Sequence, residues 1–371
     1  MSTTNEVGKP LAQNTPAFGP STYDLTKYNR IAVLTEGHTN SFTAKTAIGL
    51  LRFRGQDVVA IIDSECTVST TVEALGHGGD TPVVASLNQV DTPDALFIGI
   101  SPAGGRLPPA MRKTIQEAAE RGIDVISGLH DYLCEEPDLA AIAAKSGSQL
   151  IDVRRTKERE TAKHAAFNDQ CVRVHTVGHD CSVGKMFTAL EVERELLKRD
   201  VDAKFIATGQ TGIMVSGNGI PIDSVVSDFV NGSIENLVLA NQQHDFLLIE
   251  GQGSVVHPAY SAVTLGLLHG CAPHGLILCY EAGRTHTKGL DHVPLKSLSE
   301  LKTIYELIAS TRNPCEVIGV ALNGRRISEE EAAIEKEKVT AELGLPVCDV
   351  YRDGPQLLAD AVMELGKKVR S

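Results

Sequence analysis

The stretch Val172–Thr188 reads VRVHTVGHDCSVGKMFT, and the fold of the surrounding chain follows from how it is read. Residues Val172–Val177 alternate as a buried strand does. Gly178-His179-Asp180-Cys181-Ser182-Val183-Gly184-Lys185 comes next, and then Phe187, Leu190, Val192, Leu196 and Leu197 recur at roughly helical spacing. Strand, Gly-bounded loop with Lys, then helix is the arrangement of a phosphate-binding P-loop. Gly178 and Gly184 let successive backbone N–H groups turn toward one point. The helix aims its positive end at that point, and Lys185 adds a mobile cation. The expected cofactor-binding set is Gly178, His179, Cys181, Ser182, Val183, Gly184, Lys185 and Met186. Two features depart from the common pattern. Five residues separate the glycines, where four are usual, and Met186 stands where a Ser or Thr would ligate magnesium. The loop is expected to hold phosphates without holding Mg²⁺ in the usual way.

The chain has 371 residues, enough for two domains. Apolar residues make up 42% and charged residues 22%, the balance of an ordinary globular protein. A net charge of −12 with no basic stripe argues against a nucleic-acid partner. Trp is absent and aromatics are few, which argues against a stacking platform for bases or sugars. The eight cysteines form no CxxC pair, so no zinc ribbon or thioredoxin-like motif is read and no residue is assigned to a metal. Neither a signal peptide nor an apolar span of membrane length is seen, so a cytoplasmic protein without membrane contact is expected.

Residues 1–27 lack periodicity and are read as an extended arm, which points to a homo-oligomer. Residues 28–155 alternate strand and helix: strands at Arg30–Thr35, Val58–Ile62, Ala95–Ile100, Asp124–Ser127 and Gln149–Val153, with helices at Ala44–Arg54, Ala110–Arg121 and Pro137–Lys145. This predicts a Rossmann-like parallel sheet, although without a GxGxxG fingerprint no nicotinamide site is assigned. Residues 156–170, polar and dense in charge, are the expected linker. Residues 171–371 form the P-loop domain. Its further strands are Ala203–Ala207, Asp245–Glu250, Gly275–Tyr280, Glu316–Leu322 and Val347–Val350, its helices Val225–Asn241, Leu298–Ser310 and Glu329–Leu343, and Thr208–Gly212 is read as a loop. The fold class is α/β, with two domains and two parallel sheets.

In open α/β sheets the ligand lies beyond the carboxyl ends of the strands. Glu250 ends the apolar strand DFLLIE and starts the turn Glu250-Gly-Gln-Gly253-Ser254. Such a carboxylate beside a P-loop is placed to bind a metal or to act as a general base, and it also suits a plain capped strand end. His257 follows in SVVHPAY, and Asp180 lies inside the loop. Glu250, His257 and Asp180 are the catalytic candidates. Arg284 and Lys288 make a short cationic loop after Gly275–Tyr280, and Arg suits a planar carboxylate or phosphate through paired donors. Ser101–Arg106 resembles an anion-binding turn. Arg284, Lys288, Arg106 and Ser254 are the substrate-binding candidates.

The longer loop and the Glu-Gly-x-Gly turn resemble those of the dethiobiotin-synthetase branch of P-loop proteins. Several segments together resemble one bacterial family, long described only as a domain of unknown function with a P-loop. These are AKTAIGLLRFR (Ala44–Arg54), GISPAGGRLPP (Gly99–Pro109), GLHDYL (Gly128–Leu133), GHDCSVGKMFT (Gly178–Thr188), IEGQGSVVHPAYS (Ile249–Ser261) and GVALNGR (Gly319–Arg325). The resemblance spans nearly the whole chain beyond the arm. It implies a D-glutamate N-acetyltransferase that uses acetyl-CoA as acetyl donor, a cytoplasmic enzyme of D-amino-acid breakdown. Acetyl transfer from a thioester needs no magnesium, which accommodates Met186. The alternatives are an ATP-dependent ligase or kinase, which would require Mg²⁺, and a nucleotide-responsive regulatory protein.

Overall fold

A computed structural model describes residues 23–371. Residues 1–22, most of the expected arm, lie outside the described residues, and so does the oligomer contact inferred from them. The first domain holds strands β1 (Ile31–Leu34), β2 (Val58–Ile62), β3 (Val83–Val84), β4 (Ala95–Ile98), β5 (Asp124–Ser127) and β6 (Leu150–Asp152). They pair in parallel in the order β3-β2-β1-β4-β5-β6, that of a doubly wound Rossmann-like sheet. Helices α1 (Lys45–Phe53), α2 (Thr71–Leu75), α3 (Arg112–Glu120) and α4 (Pro137–Ser146) connect them. β1 and β4 are buried along their whole length, because helices cover both faces of a parallel sheet.

The second domain runs β7 (Val172–Gly178), α5 (Lys185–Lys198), β8 (Ala203–Ile206), α6 (Gln210–Ser216), α7 (Val230–Asn241), β9 (Phe246–Ile249), α8 (Ser261–Cys271) and β10 (Gly275–Glu281). A hairpin of β11 (His286–Thr287) and β12 (Leu290–Pro294) follows, then α9 (Leu298–Ala309), β13 (Glu316–Asn323), α10 (Glu329–Leu343), β14 (Val347–Cys348) and α11 (Gln356–Arg370). The parallel sheet has the order β14-β13-β10-β7-β9-β8, which puts the P-loop strand between β10 and β9. The loops after β7, β9 and β10 therefore leave the sheet side by side. Both expected sheets are present. Of the expected loop at Thr208–Gly212, the part from Gln210 onward is instead the start of α6, and the expected helix over Val225–Asn241 begins only at Val230. Helices α8 and α11 and the hairpin were not read from the sequence.

The segment between β6 and β7 lies along α7. Glu235 on that helix accepts the backbone N–H of Lys163 (2.6 Å) and of Ala165 (3.1 Å). Among the described residues, none is long and apolar enough as a helix to cross a membrane.

The two domains share one apolar core. It joins Val33, Leu50 and Phe97 of the first to Val174, Phe205, Ile213 and Leu248 of the second. Helices α1 and α6 meet at the seam, where the hydroxyls of Thr46 and Thr211 are 2.8 Å apart. Arg54, at the end of α1, is 6% exposed. Its guanidinium donates to the carbonyls of Leu25 (3.1 Å), Tyr28 (2.7 Å) and Met214 (3.2 Å), and pairs with Asp57 at 2.9 Å. Arg54→Ala leaves those buried carbonyls unpaired, so it is predicted to lower unfolding stability by on the order of 3 kcal/mol. The readout is the urea midpoint of the full chain, and an unchanged midpoint contradicts the role given to Arg54 at the seam.

Candidate active site

The loop after β7 turns through two left-handed residues, Ser182 (φ +56°) and Gly184 (φ +108°), before α5 starts at Lys185. Gly184 spares the chain the steric cost that a side chain meets in that region. The Glu250 turn lies flush against β7. An atom in the Cβ position of Gly251 would stand 1.7 Å from the carbonyl oxygen of Thr176, and the Gly251 N–H donates to the Thr176 hydroxyl at 3.0 Å. Tyr305, wholly buried on α9, ties the same corner. Its hydroxyl donates to the carbonyl of Gly178 at 2.8 Å, accepts the N–H of Val255 at 3.1 Å, and lies 3.3 Å from the Ser254 hydroxyl.

Asp180 is fully buried and holds the loop from within. One carboxylate oxygen accepts the N–H of Cys181 at 2.7 Å. The other accepts the Arg284 guanidinium and the N–H of Lys288, each at 2.7 Å. Burial alone would raise its pKa. The N–H groups of Lys288 and Cys181 and the Arg284 cation outweigh that and hold it below the usual carboxylate range. Asp180 is thus a positioning residue, and its carboxylate is too heavily hydrogen-bonded to take a proton from substrate. Arg284 also donates to the Cys181 carbonyl at 2.9 Å and pairs with Glu281, which in turn pairs with Arg325 and Arg326.

A cavity of about 550 Å³ opens beside the loop, with walls from both domains. Cys181, Ser182, Val183, Gly184, Lys185, Met186 and Glu250 line it, together with Ser41, Lys45, Ser101 and His77 from the first domain. Lys185 Nζ donates to the Asp180 carbonyl at 2.8 Å, and burial lowers its pKa. Met186 packs against the shared core. Burial raises the pKa of the Cys181 thiol, which makes it a poor nucleophile.

Glu250 sits at the back of this cavity, 3% exposed. Its Oε2 accepts the N–H groups of Thr208 (2.8 Å) and Gly209 (3.0 Å), where α6 begins. Burial pushes its carboxyl from an ordinary 4.5 up to about 7, against the opposing pull of those N–H groups, Gln252 and Lys185.

The other expected site residues fall elsewhere. Gly178 lies beneath the loop. His179 is buried, accepts the Glu281 N–H at 3.2 Å, and is pushed down to about 4 by burial, so its ring is neutral. Ser254 is sealed under Tyr305. Arg284, assigned to substrate, is spent on Asp180 and Glu281 because two buried carboxylates need a cation between them. Arg106 is exposed and does not line the cavity. His257 Nδ1 accepts the Ala259 N–H at 3.1 Å, which leaves the proton of the neutral ring on Nε2. That Nε2 is buried, 3.7 Å from Asp180 and without a hydrogen-bond partner. His257 therefore offers no lone pair as a base. Asp180, Cys181 and His257 bring possible ligand atoms within 4.8 Å of one another, but the same tautomer withholds the histidine from a metal.

One cavity group, Lys45, escaped the sequence reading, and a second, Gln210, lies in the stretch Thr208–Gly212 that was read as a loop. Lys45, on α1, places Nζ 3.2 Å from the Ser182 hydroxyl, and Lys288 Nζ reaches the same oxygen at 3.2 Å. Burial first, then Lys288 and Arg325, lower the Lys45 ammonium to about 8. Gln210, at the start of α6, donates to the Ser101 hydroxyl at 3.1 Å across the seam.

Glu250 has a consequence for stability. The folded protein keeps its proton up to about pH 7, the unfolded chain only to about 4.5. The stability it contributes is complete below 4.5 and is lost as pH rises through 7. Glu250→Gln cannot ionise. It is predicted to raise the Tm at pH 8 and leave it nearly unchanged at pH 4.5, a difference on the order of 3 kcal/mol. Equal Tm shifts at both pH values contradict the assignment.

Residues 160–359 match the family described as domain of unknown function (DUF1611_C), P-loop domain, and residues 64–156 match its Rossmann-like companion, DUF1611_N. The chain is 39% identical over 327 residues to a D-glutamate N-acetyltransferase of Tritonibacter scottomollicae, covering 86% of this chain and 94% of that protein. It is 34% identical over 324 residues to one of a Pseudoalteromonas species, covering 85% and 93%. The crystal structure of a DUF1611 family protein from Anabaena variabilis superposes with a TM-score of 0.85 at 38% identity, covering 91% of this chain and 99% of that one. The chain therefore belongs to the DUF1611 family.

Proposed function

We propose that this chain moves acetyl from acetyl-CoA to the amino group of D-glutamate. The two relatives named for that reaction align along most of its length and support the reading. One observation carries it. A buried carboxyl raised to about 7 opens onto the same cavity as a P-loop whose lysine is followed by Met186. Phosphate binding and proton removal are thereby joined, with no hydroxyl in the position that ligates magnesium in phosphoryl-transfer loops.

In this reading the loop N–H groups and Lys185 hold the phosphates of coenzyme A. The incoming amino acid carries an ammonium group that must lose a proton before it can attack. Ionised Glu250 takes that proton, with Oε2 anchored on Thr208 and Gly209 so that the carboxylate keeps its place. The amine nitrogen attacks the thioester carbonyl, the C–N bond forms, the C–S bond breaks, and the second proton of the nitrogen leaves to solvent. The proton on Glu250 returns to the departing thiolate. Arg284 serves the loop in this scheme, and the substrate carboxylates meet the cavity's neutral donors, among them Ser101, Gln210 and Gln252. Use of the product in D-amino-acid breakdown belongs to the same proposal.

The test is mass spectrometry of purified protein mixed with acetyl-CoA and D-glutamate in EDTA, with L-glutamate and ATP/Mg²⁺ arms alongside. N-acetyl-D-glutamate is expected without ATP. Its kcat/KM should rise with pH through about 7 as Glu250 ionises. Glu250→Gln should cost roughly 10²–10⁴-fold in kcat, the usual worth of a general base. ADP formed in the ATP arm, with no acetylated product, overturns the proposal in favour of a ligase.

A further inference from the structure

We propose that Lys45, Lys288 and Arg325 form a phosphate seat closing over the P-loop from both domains, so that a bound organic phosphate is gripped across the seam. The ammonium groups of Lys45 and Lys288 converge on one neutral atom, the Ser182 hydroxyl oxygen, each at 3.2 Å. Ser182 belongs to the loop and lines the cavity, as do Lys45 and Arg325. A hydroxyl offers two cations a dipole where a phosphate oxygen would offer charge. Among the described residues, no carboxylate lies within ion-pairing distance of Lys45 or Lys288. The carboxylate beside Arg325 is Glu281, already shared with Arg284 and Arg326. Like charges gathered around this loop are unfavourable until an anion arrives.

The three cations come from three places. Lys45 opens α1 in the first domain, Lys288 sits at the turn of the hairpin, and Arg325 follows β13. The backbone carrying Lys45 and Lys288 is fixed by the protein itself, and Arg325 is held by Glu281. Ala47 N–H donates to the Gly99 carbonyl at 2.9 Å and sets the first turn of α1, and Thr46 touches Thr211 of α6. The Lys288 N–H is held by Asp180 at 2.7 Å. The seat is therefore preformed, and only its Lys45 corner belongs to the Rossmann-like domain. This gives that domain a binding role although it lacks a dinucleotide fingerprint. The ligand class is a phosphate ester or pyrophosphate whose charge exceeds what Lys185 alone can meet. The inference rests on the loop being a phosphate site and does not depend on acetyl transfer.

The test is calorimetric titration of the full chain with inorganic pyrophosphate and, separately, with coenzyme A. Lys45→Met is expected to weaken both by roughly 10-fold or more, the loss of one charge-assisted hydrogen bond. Lys45→Arg, which keeps the charge, is expected to restore most of the affinity, which a merely structural lysine would not require. Lys288→Met, at an exposed side chain that leaves the core untouched, should weaken binding as well. Wild-type protein that binds pyrophosphate but not coenzyme A, with the variants still weakened, upholds the seat and removes the acetyl-CoA reading. Variants that bind pyrophosphate as wild type does, or wild type that binds none, overturn the seat.

Discussion

A buried carboxylate inside the P-loop is the interaction on which the site depends. Asp180 has no exposed surface, and a lone charge in that position would be costly. It is tolerated because Cys181, Lys288 and Arg284 supply donors from the loop, the hairpin and the end of β10. Those partners bring others with them. Arg284 is braced by Glu281, and Glu281 collects Arg325 and Arg326. One carboxylate thus sets the shape of the loop, the placement of the hairpin and the distribution of positive charge around it. A network of this kind is worth most when every member is satisfied.

Glu250 is the opposite case, a carboxylate whose environment does not fully compensate its charge. Its hydrogen bonds to the start of α6 keep it in place, while burial holds its proton near neutrality. A proton affinity raised in this way is common at catalytic centres, and under the proposed reaction it suits Glu250 to act as a base. The shared core and the Arg54 contacts at the seam are well placed to offset the cost of its charge, since they fix α1 against α6 and hold the two walls of the cavity together.

Much of the fold was legible from local pattern. Period-two apolar runs marked the central strands, and the Gly-bounded loop marked its own strand and helix. Elements whose signal is not local were missed. Helix α8 is apolar on nearly every side and carries Gly266 and Gly270, which normally weaken a helix reading. Those glycines let α7 approach, since a Cβ on Gly266 would stand 2.3 Å from Val230. The run Thr208–Gly212 looked like a Gly-rich loop but is helical from Gln210, with the N–H groups of Thr208 and Gly209 just before the helix taken up by a carboxylate more than forty residues away. In the site, Glu250 and the loop were found because a motif announces them. Lys45 was not, because it lies 137 positions from its partner Ser182 in another domain. Arg284 was given to substrate because its two carboxylate partners cannot be seen in a linear reading.

The proposed function has this P-loop hold phosphates for acyl chemistry without a magnesium ion. The most direct measurement is calorimetric titration of acetyl-CoA into the full chain, first in EDTA and then in excess Mg²⁺. Saturable binding is expected in EDTA, with an affinity that Mg²⁺ does not improve. Binding that appears only with Mg²⁺, or that is confined to Mg·ATP, would contradict it.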